Sequence, residues 1–163
     1  SALFSQSTFL GNWLRAKPAV VKIGDILFSH AGISTEVERL GLSLDEINEV
    51  VYNENTGLKE MNDFLVRKTI FGSNGIFWYR GWVDAPLAET FLDSILTSTG
   101  ASHMIIGHTV VSNIKALYNY KLLAVDLDKQ TKGDHSYIRG LKIENGEFFE
   151  VDSHGGQFSV SSG

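Results

Sequence analysis

Two apolar runs of this 163-residue chain share one construction, and together they limit the folds open to it. Ile26-Leu27-Phe28-Ser29 runs into His30 and then Ala31-Gly32, and Met104-Ile105-Ile106-Gly107 runs into His108 and then Thr109. The first of them, nearly continuous and apolar, reads as a strand buried on both faces, and the second as a β run. Such strands need helices to cover them, and the sequence between the runs supplies these. Ser43 with Glu46 three residues on is a capping-box signature, with Leu44, Ile47, Val50 and Val51 on one helical face. A second helix is predicted over about 60–69. Asp84 is predicted to cap a third, with Pro86 in its first turn, Leu87, Phe91, Ile95 and Leu96 as its stripe and Gly100 as its stop.

Around this middle the chain is β-prone. Residues 6–16 can form a short helix ending before Pro18. Ala19–Ile23 and Ile26–His30, separated by Gly24-Asp25, read as a hairpin. Later β runs are His103–Gly107, Ile114–Tyr118, Leu122–Asp126, Tyr137–Ile143 and Glu147–Val151, the last two joined by an Asn145-Gly146 turn. Helices interleaved with strands early and a meander late predict a layered mixed α/β fold. No repeat or linker divides the chain. The expectation is one domain over 1–158 and a loose polar tail over 159–163.

Composition removes several functional classes. Apolar residues make up 43% and charged residues 20%, which excludes a disordered chain. Fourteen basic against nineteen acidic side chains give a net charge of −5, so a broad nucleic-acid footprint is not expected. The absence of cysteine excludes a disulfide framework, a thiolate metal site and a cysteine nucleophile. No apolar run approaches the ~20 residues of a membrane span, and Ser1–Gln6 carries no secretory signal. No membrane partner is expected, and a cytoplasmic location is favoured. The first residue is not Met and is not taken as a natural start.

His30 and His108 each end a strand-like run beside glycine, where a side chain reaches the rim of a sheet. Ligands of open α/β sheets bind beyond the carboxyl ends of strands, and neutral imidazole is a common ligand for divalent metals. Either histidine taken alone also fits a plain bond to a nearby carbonyl. Gly75-Ile76-Phe77-Trp78-Tyr79-Arg80-Gly81-Trp82 sets three aromatics before Arg80 and one after it. That frame suits a guanidinium held for bidentate contact with phosphate or carboxylate, and equally an aromatic cluster with Arg80 stacked on Trp78 or Trp82. Asp152-Ser153-His154 at a strand end could aim two ligands one way, although it reads better as a strand running into the tail. Gly133-Asp134-His135 reads as turn chemistry, and His103 as a strand start that binds nothing.

Phe28-Ser29-His30-Ala31-Gly32-Ile33, Trp78-Tyr79-Arg80 and Ile105-Ile106-Gly107-His108-Thr109 occur in an order that resembles the later motifs of the calcineurin-like metallophosphoesterases. The resemblance is closest to bacterial and Shewanella-like members of the phosphoprotein phosphatase family, and it runs from about Phe9 to Asp152. It implies the C-terminal half of a four-layer αββα sandwich with mixed sheets and a binuclear site. In that site His30 and His108 would ligate the second metal and Arg80 would bind substrate phosphate. Two divalent ions, Mn, Fe or Zn, would be the cofactors. The reaction would be hydrolysis of a phosphomonoester, on a serine/threonine or tyrosine phosphoprotein, with Thr109 structural.

The family's first three motifs, DxH, GDxxDRG and GNHE, precede the HAG turn, but only 29 residues precede His30 here. Gly11-Asn12 is followed by Trp13, and Asp25 is the only acidic residue in that stretch. No catalytic residue is therefore assigned in this chain, which is expected to be inactive alone. It is expected to bind an upstream half of the same enzyme or to self-associate. Two alternatives stand beside this reading. One is a dinucleoside polyphosphate hydrolase; the other is an inert interaction domain with Phe77, Trp78 and Trp82 exposed as anchors.

Overall fold

A computed structural model describes residues 2–57, 63–85, 87–128 and 138–162. The element order is a 3-10 turn at Ala2–Phe4, α1 (Phe9–Arg15), β1 (Val20–Ile23), β2 (Ile26–Ser29), α2 (Thr35–Glu38), α3 (Leu44–Thr56), α4 (Phe64–Phe71), α5 (Gly81–Asp84) and α6 (Glu89–Thr99). Then come β3 (His103–Ile106), β4 (Lys115–Leu117), β5 (Leu122–Ala124), β6 (Arg139–Glu144), β7 (Glu147–Asp152) and β8 (Gln157–Ser159). This is a mixed α/β fold with a parallel-containing sheet.

Five strands form one sheet in the order β1-β2-β3-β5-β4, and β6-β7-β8 form a second. β2, β3 and β5 run parallel, while β1 and β4 are antiparallel to their neighbours. The three parallel strands therefore deliver their carboxyl ends to one rim. Local chemistry sets the connections. Gly24, the first residue of the β1–β2 turn, has φ +61°, which glycine adopts without steric cost. Asn145 and Gly146 both take positive φ between β6 and β7, the requirement of the turn their sequence predicts.

One face of the large sheet, carrying Val20, Leu27, Met104, Ile106, Leu122 and Ala124, packs with buried residues of α2, α3, α4 and α6. The other face is covered only in part. Ile105, Ala116 and Leu123 pack with Phe148 of β7 and Val160. Among the described residues that cover does not extend to β1, where Ile23 is 64% exposed. This is why Ile26 and Phe28 are only half-buried, although the sequence reads β2 as closed on both sides.

Other expectations are corrected. Asp84 does not cap α6; it ends the short α5, and α6 starts later from Ala88 with no side-chain cap. The buried stripe of α6 is Leu92, Ile95 and Leu96, with Phe91 turned partly to solvent. The helix expected over about 60–69 is α4, displaced toward the C-terminus and capped by Asp63. Of the tail expected over 159–163, Ser159 lies in β8, Val160 is buried and Ser162 bridges Ala116, while Gly163 lies outside the described residues. Pro86, the start of the Tyr137–Ile143 run and the Gly133-Asp134-His135 turn lie outside the described residues. No described helix is long and apolar enough to cross a membrane.

Candidate functional site

β2 and β3 lie side by side in parallel with Ser29 opposite Ile106, so the residues after them arrive together at the rim. The backbone ties the two turns: Gly107 N–H donates to the His30 carbonyl at 2.8 Å. His30 Nε2 and His108 Nδ1 are then 3.1 Å apart. The segment 78 residues away in sequence has met its counterpart because sheet register forces it.

The His108 backbone is unusual. Its φ is +63°, and Thr109 N–H reaches back to the Gly107 carbonyl at 2.7 Å, closing a three-residue γ-turn. A positive φ at a bulky residue is strained and persists only where surrounding contacts hold it. Three contacts do so here. Arg80 Nη1 donates to the His108 carbonyl at 3.1 Å. The Trp78 indole stands edge-on to the imidazole, 5.6 Å between centroids at 88°. Val111 N–H donates to the Asp126 carbonyl at 2.8 Å just downstream.

The Arg80 segment is locked to the His30 turn. Ala31 N–H donates to the Ile76 carbonyl at 2.9 Å. Trp82 is buried, and its Nε1–H donates to the Ile33 carbonyl at 3.0 Å. Gly32 has φ +88°, and Trp82 Cδ1 sits 2.9 Å from where a Cβ would stand, so the turn admits only glycine. Of the three aromatics considered as exposed anchors, Phe77 stacks on Phe71 and Trp82 is core; only Trp78, 60% exposed, faces solvent. Arg80 engages the His108 carbonyl rather than stacking on tryptophan.

Burial lowers the His108 pKa from its ordinary value, and the charges of Arg80 and His30 add to the effect. The Trp78 backbone and the Asp126 carboxylate oppose it less strongly. A ring held neutral keeps a lone pair for a ligand. Among the described residues, His108 Nε2 is buried with no partner at good hydrogen-bond geometry, and so are the hydroxyls of Ser29 and Thr109 beside the two histidines. Two imidazole nitrogens on one ion at about 2.1 Å lie roughly 3 Å apart when they occupy adjacent positions. The His30–His108 separation fits that arrangement as well as it fits a hydrogen bond. Among the described residues, however, no group of three or more His, Asp or Glu side chains gathers to hold a metal.

No protein-family profile matches the chain, and no curated protein sequence matches it. Solved structures do. The structural neighbours are phosphatases. The cold-active protein-tyrosine phosphatase of a psychrophilic Shewanella species superposes with a TM-score of 0.82 at 29% identity, over 98% of this chain and 48% of that one. A point mutant of a cold-active protein tyrosine phosphatase gives 0.82 at 31% identity, over 98% of this chain and 47% of its own. A cold-active protein tyrosine phosphatase structure at 1.1 Å gives 0.82 at 31%, over 99% and 47%. The chain thus spans about half the length of the structures it matches.

Among the described residues, Asp152 and His103 serve elsewhere than at the rim. Asp152 Oδ1 accepts the backbone N–H groups of His154 and Gly156, both at 2.8 Å, so its carboxylate serves as a turn cap between β7 and β8. His103 starts β3 as expected but is not without partners: its Nδ1 is 2.9 Å from the Tyr120 carbonyl and its ring meets Phe148 edge-on. Cavities of about 610 Å³, between α2, α3 and α6, and about 390 Å³, beside Phe148, are not lined by His30, Arg80 or His108. The residue that sequence reasoning missed is Asp126, just past the third parallel strand, whose charge acts on His108. The run Leu122–Asp126 was visible; that β5 lies beside β3 was not.

Proposed function

We propose that this chain contributes to metal-dependent hydrolysis of phosphate monoesters, in the manner of a calcineurin-like metallophosphoesterase. The observation that carries the reading is the convergence of His30, His108 and Arg80 at one sheet rim, in a fold shared with phosphatases at about 30% identity. The neighbours' activity on protein tyrosine phosphate makes phosphotyrosine the favoured substrate. His30 and His108 would hold one of two divalent ions, Mn, Fe or Zn, since nitrogen-bearing sites suit these better than Ca or Mg. Such ions, when bound, activate water and neutralise phosphate oxygens.

The residues of this chain have narrower tasks. Arg80, anchored through Nη1, orients the phosphate with the rest of its fork. The γ-turn at His108 and the glycine turn at Gly32 hold the imidazoles where a ligand needs them. The carboxylates and the general acid come from an upstream half, which completes the four-layer sandwich by covering the open sheet face around Val21 and Ile23. The chain alone is inactive in this reading.

The test is turnover of p-nitrophenyl phosphate with Mn²⁺, by the chain alone and with the upstream segment supplied. Activity that needs that segment and disappears with His108→Ala supports the proposal. Activity of the isolated chain refutes the half-site reading. Silence in both settings leaves an interaction domain.

A further inference from the structure

Trp78 is the one residue of its aromatic segment that packing does not account for. Phe77 is stacked on Phe71 at 5.9 Å and Trp82 is buried, whereas the Trp78 indole stands in solvent beside His108 and two residues before Arg80. It is not a loosely held side chain on a loose loop. Trp78 N–H donates to the Gly75 carbonyl at 3.1 Å, and the adjacent Ile76 carbonyl accepts from Ala31 of the His30 turn. Gly75 is pressed so closely on the Ile70 carbonyl that no Cβ fits there. The rotation of the indole is further limited by its edge-on contact with the imidazole.

We infer that Trp78 is the specificity-determining residue of this rim, presenting its indole as a stacking surface for the ring of an aryl phosphate. The inference rests on the reading of Arg80 as the phosphate-binding residue. A guanidinium two residues away fixes the phosphate end of an ester, and the group bonded to the ester oxygen then lies beside the indole. A phenyl ring gains offset or edge-to-face contact with it, at centroid distances of 4.5–7 Å. An alkyl ester offers no such face. Tryptophan suits this task because a large rigid ring is ordered at low entropic cost.

Phenyl phosphate and ethyl phosphate titrated into the chain, followed by backbone and indole N–H NMR shifts, test the assignment. The expected result is about 3- to 10-fold tighter binding of phenyl phosphate, with the Trp78 indole signal moving only for that ester. Trp78→Leu brings the two esters to equal affinity, and Trp78→Phe retains most of the preference. Equal affinities in the unaltered chain, or a preference that survives Trp78→Leu, overturn the role of Trp78. The phosphate reading then still stands if Arg80→Ala weakens both esters. If neither ester binds, either to the unaltered chain or to the chain with its upstream segment and divalent ions supplied, the phosphate site itself falls, and the inference with it.

Discussion

Arg80 does two jobs at the residue scale, and they separate on substitution. Its Nη1 holds the His108 carbonyl in a strained turn, while Nε and Nη2 make no hydrogen bond among the described residues. Arg80→Ala is expected to weaken phosphate binding about 10- to 100-fold, the range for losing hydrogen bonds to a charged group. Arg80→Lys should recover little, because a point charge cannot reproduce a planar fork. Titration of phenyl phosphate checks both. Gly32→Ala should cost about 2 kcal/mol or more, since a Cβ meets Trp82 at a φ that L-residues rarely adopt. Urea denaturation measures that loss.

At the scale of elements, the segment after His108 is pinned to the second sheet by a nearly buried ion pair. Arg139 Nη1 meets Glu150 Oε1 at 2.8 Å, and Nη2 donates to the Ser112 carbonyl at 2.7 Å. Ile114 N–H donates to the other Glu150 oxygen at 2.9 Å. Breaking the pair from one side strands a charge, so Glu150→Leu should cost about 3–5 kcal/mol. The double variant Arg139→Met/Glu150→Leu should recover much of that, as chemical denaturation would show.

The start of α3 gives a pH prediction. Hydrogen bonds from the Ser43 backbone and hydroxyl lower the Glu46 pKa from the usual 4.5. A carboxylate lowered in the folded state stabilises above the unfolded pKa, and that contribution is lost as pH falls through the folded value. Comparison of melting temperatures from neutral pH down to pH 3 should show the unaltered chain losing more stability than Glu46→Gln. Ser43→Ala should cost about 1 kcal/mol at neutral pH.

For the molecule as a whole, the uneven cover of the large sheet is the leading feature. One face is closed by helices, while among the described residues the cluster of Leu141, Phe148 and Val160 covers β3, β4 and β5 on the other face and reaches Ile26 and Phe28 of β2 only in part. Val21 and Ile23 on β1 are left in solvent on an edge strand, an arrangement that invites pairing with another chain. At micromolar concentration the chain alone is expected to self-associate in size-exclusion chromatography. Ile23→Lys should shift it toward monomer. A monodisperse monomer before any substitution would count against the completion proposed for this face.

The sequence by itself determined the local elements whose cause is local. The Ser43–Glu46 capping box, the Gly24 and Asn145-Gly146 turns and the stop at Gly100 depend on a few neighbouring residues, and each was legible. So were His30, Arg80 and His108 as candidates, because strand-ending histidines beside glycine form a short-range pattern. Their meeting at one rim, with Asp126 beside them, was decided by the parallel register of β2, β3 and β5, which links residues up to about a hundred positions apart. The late start of α6, the burial of Trp82 and the anchoring of Val160 are of the same kind. Side-chain pattern reports which residues prefer to be buried, but only packing decides which partners bury them.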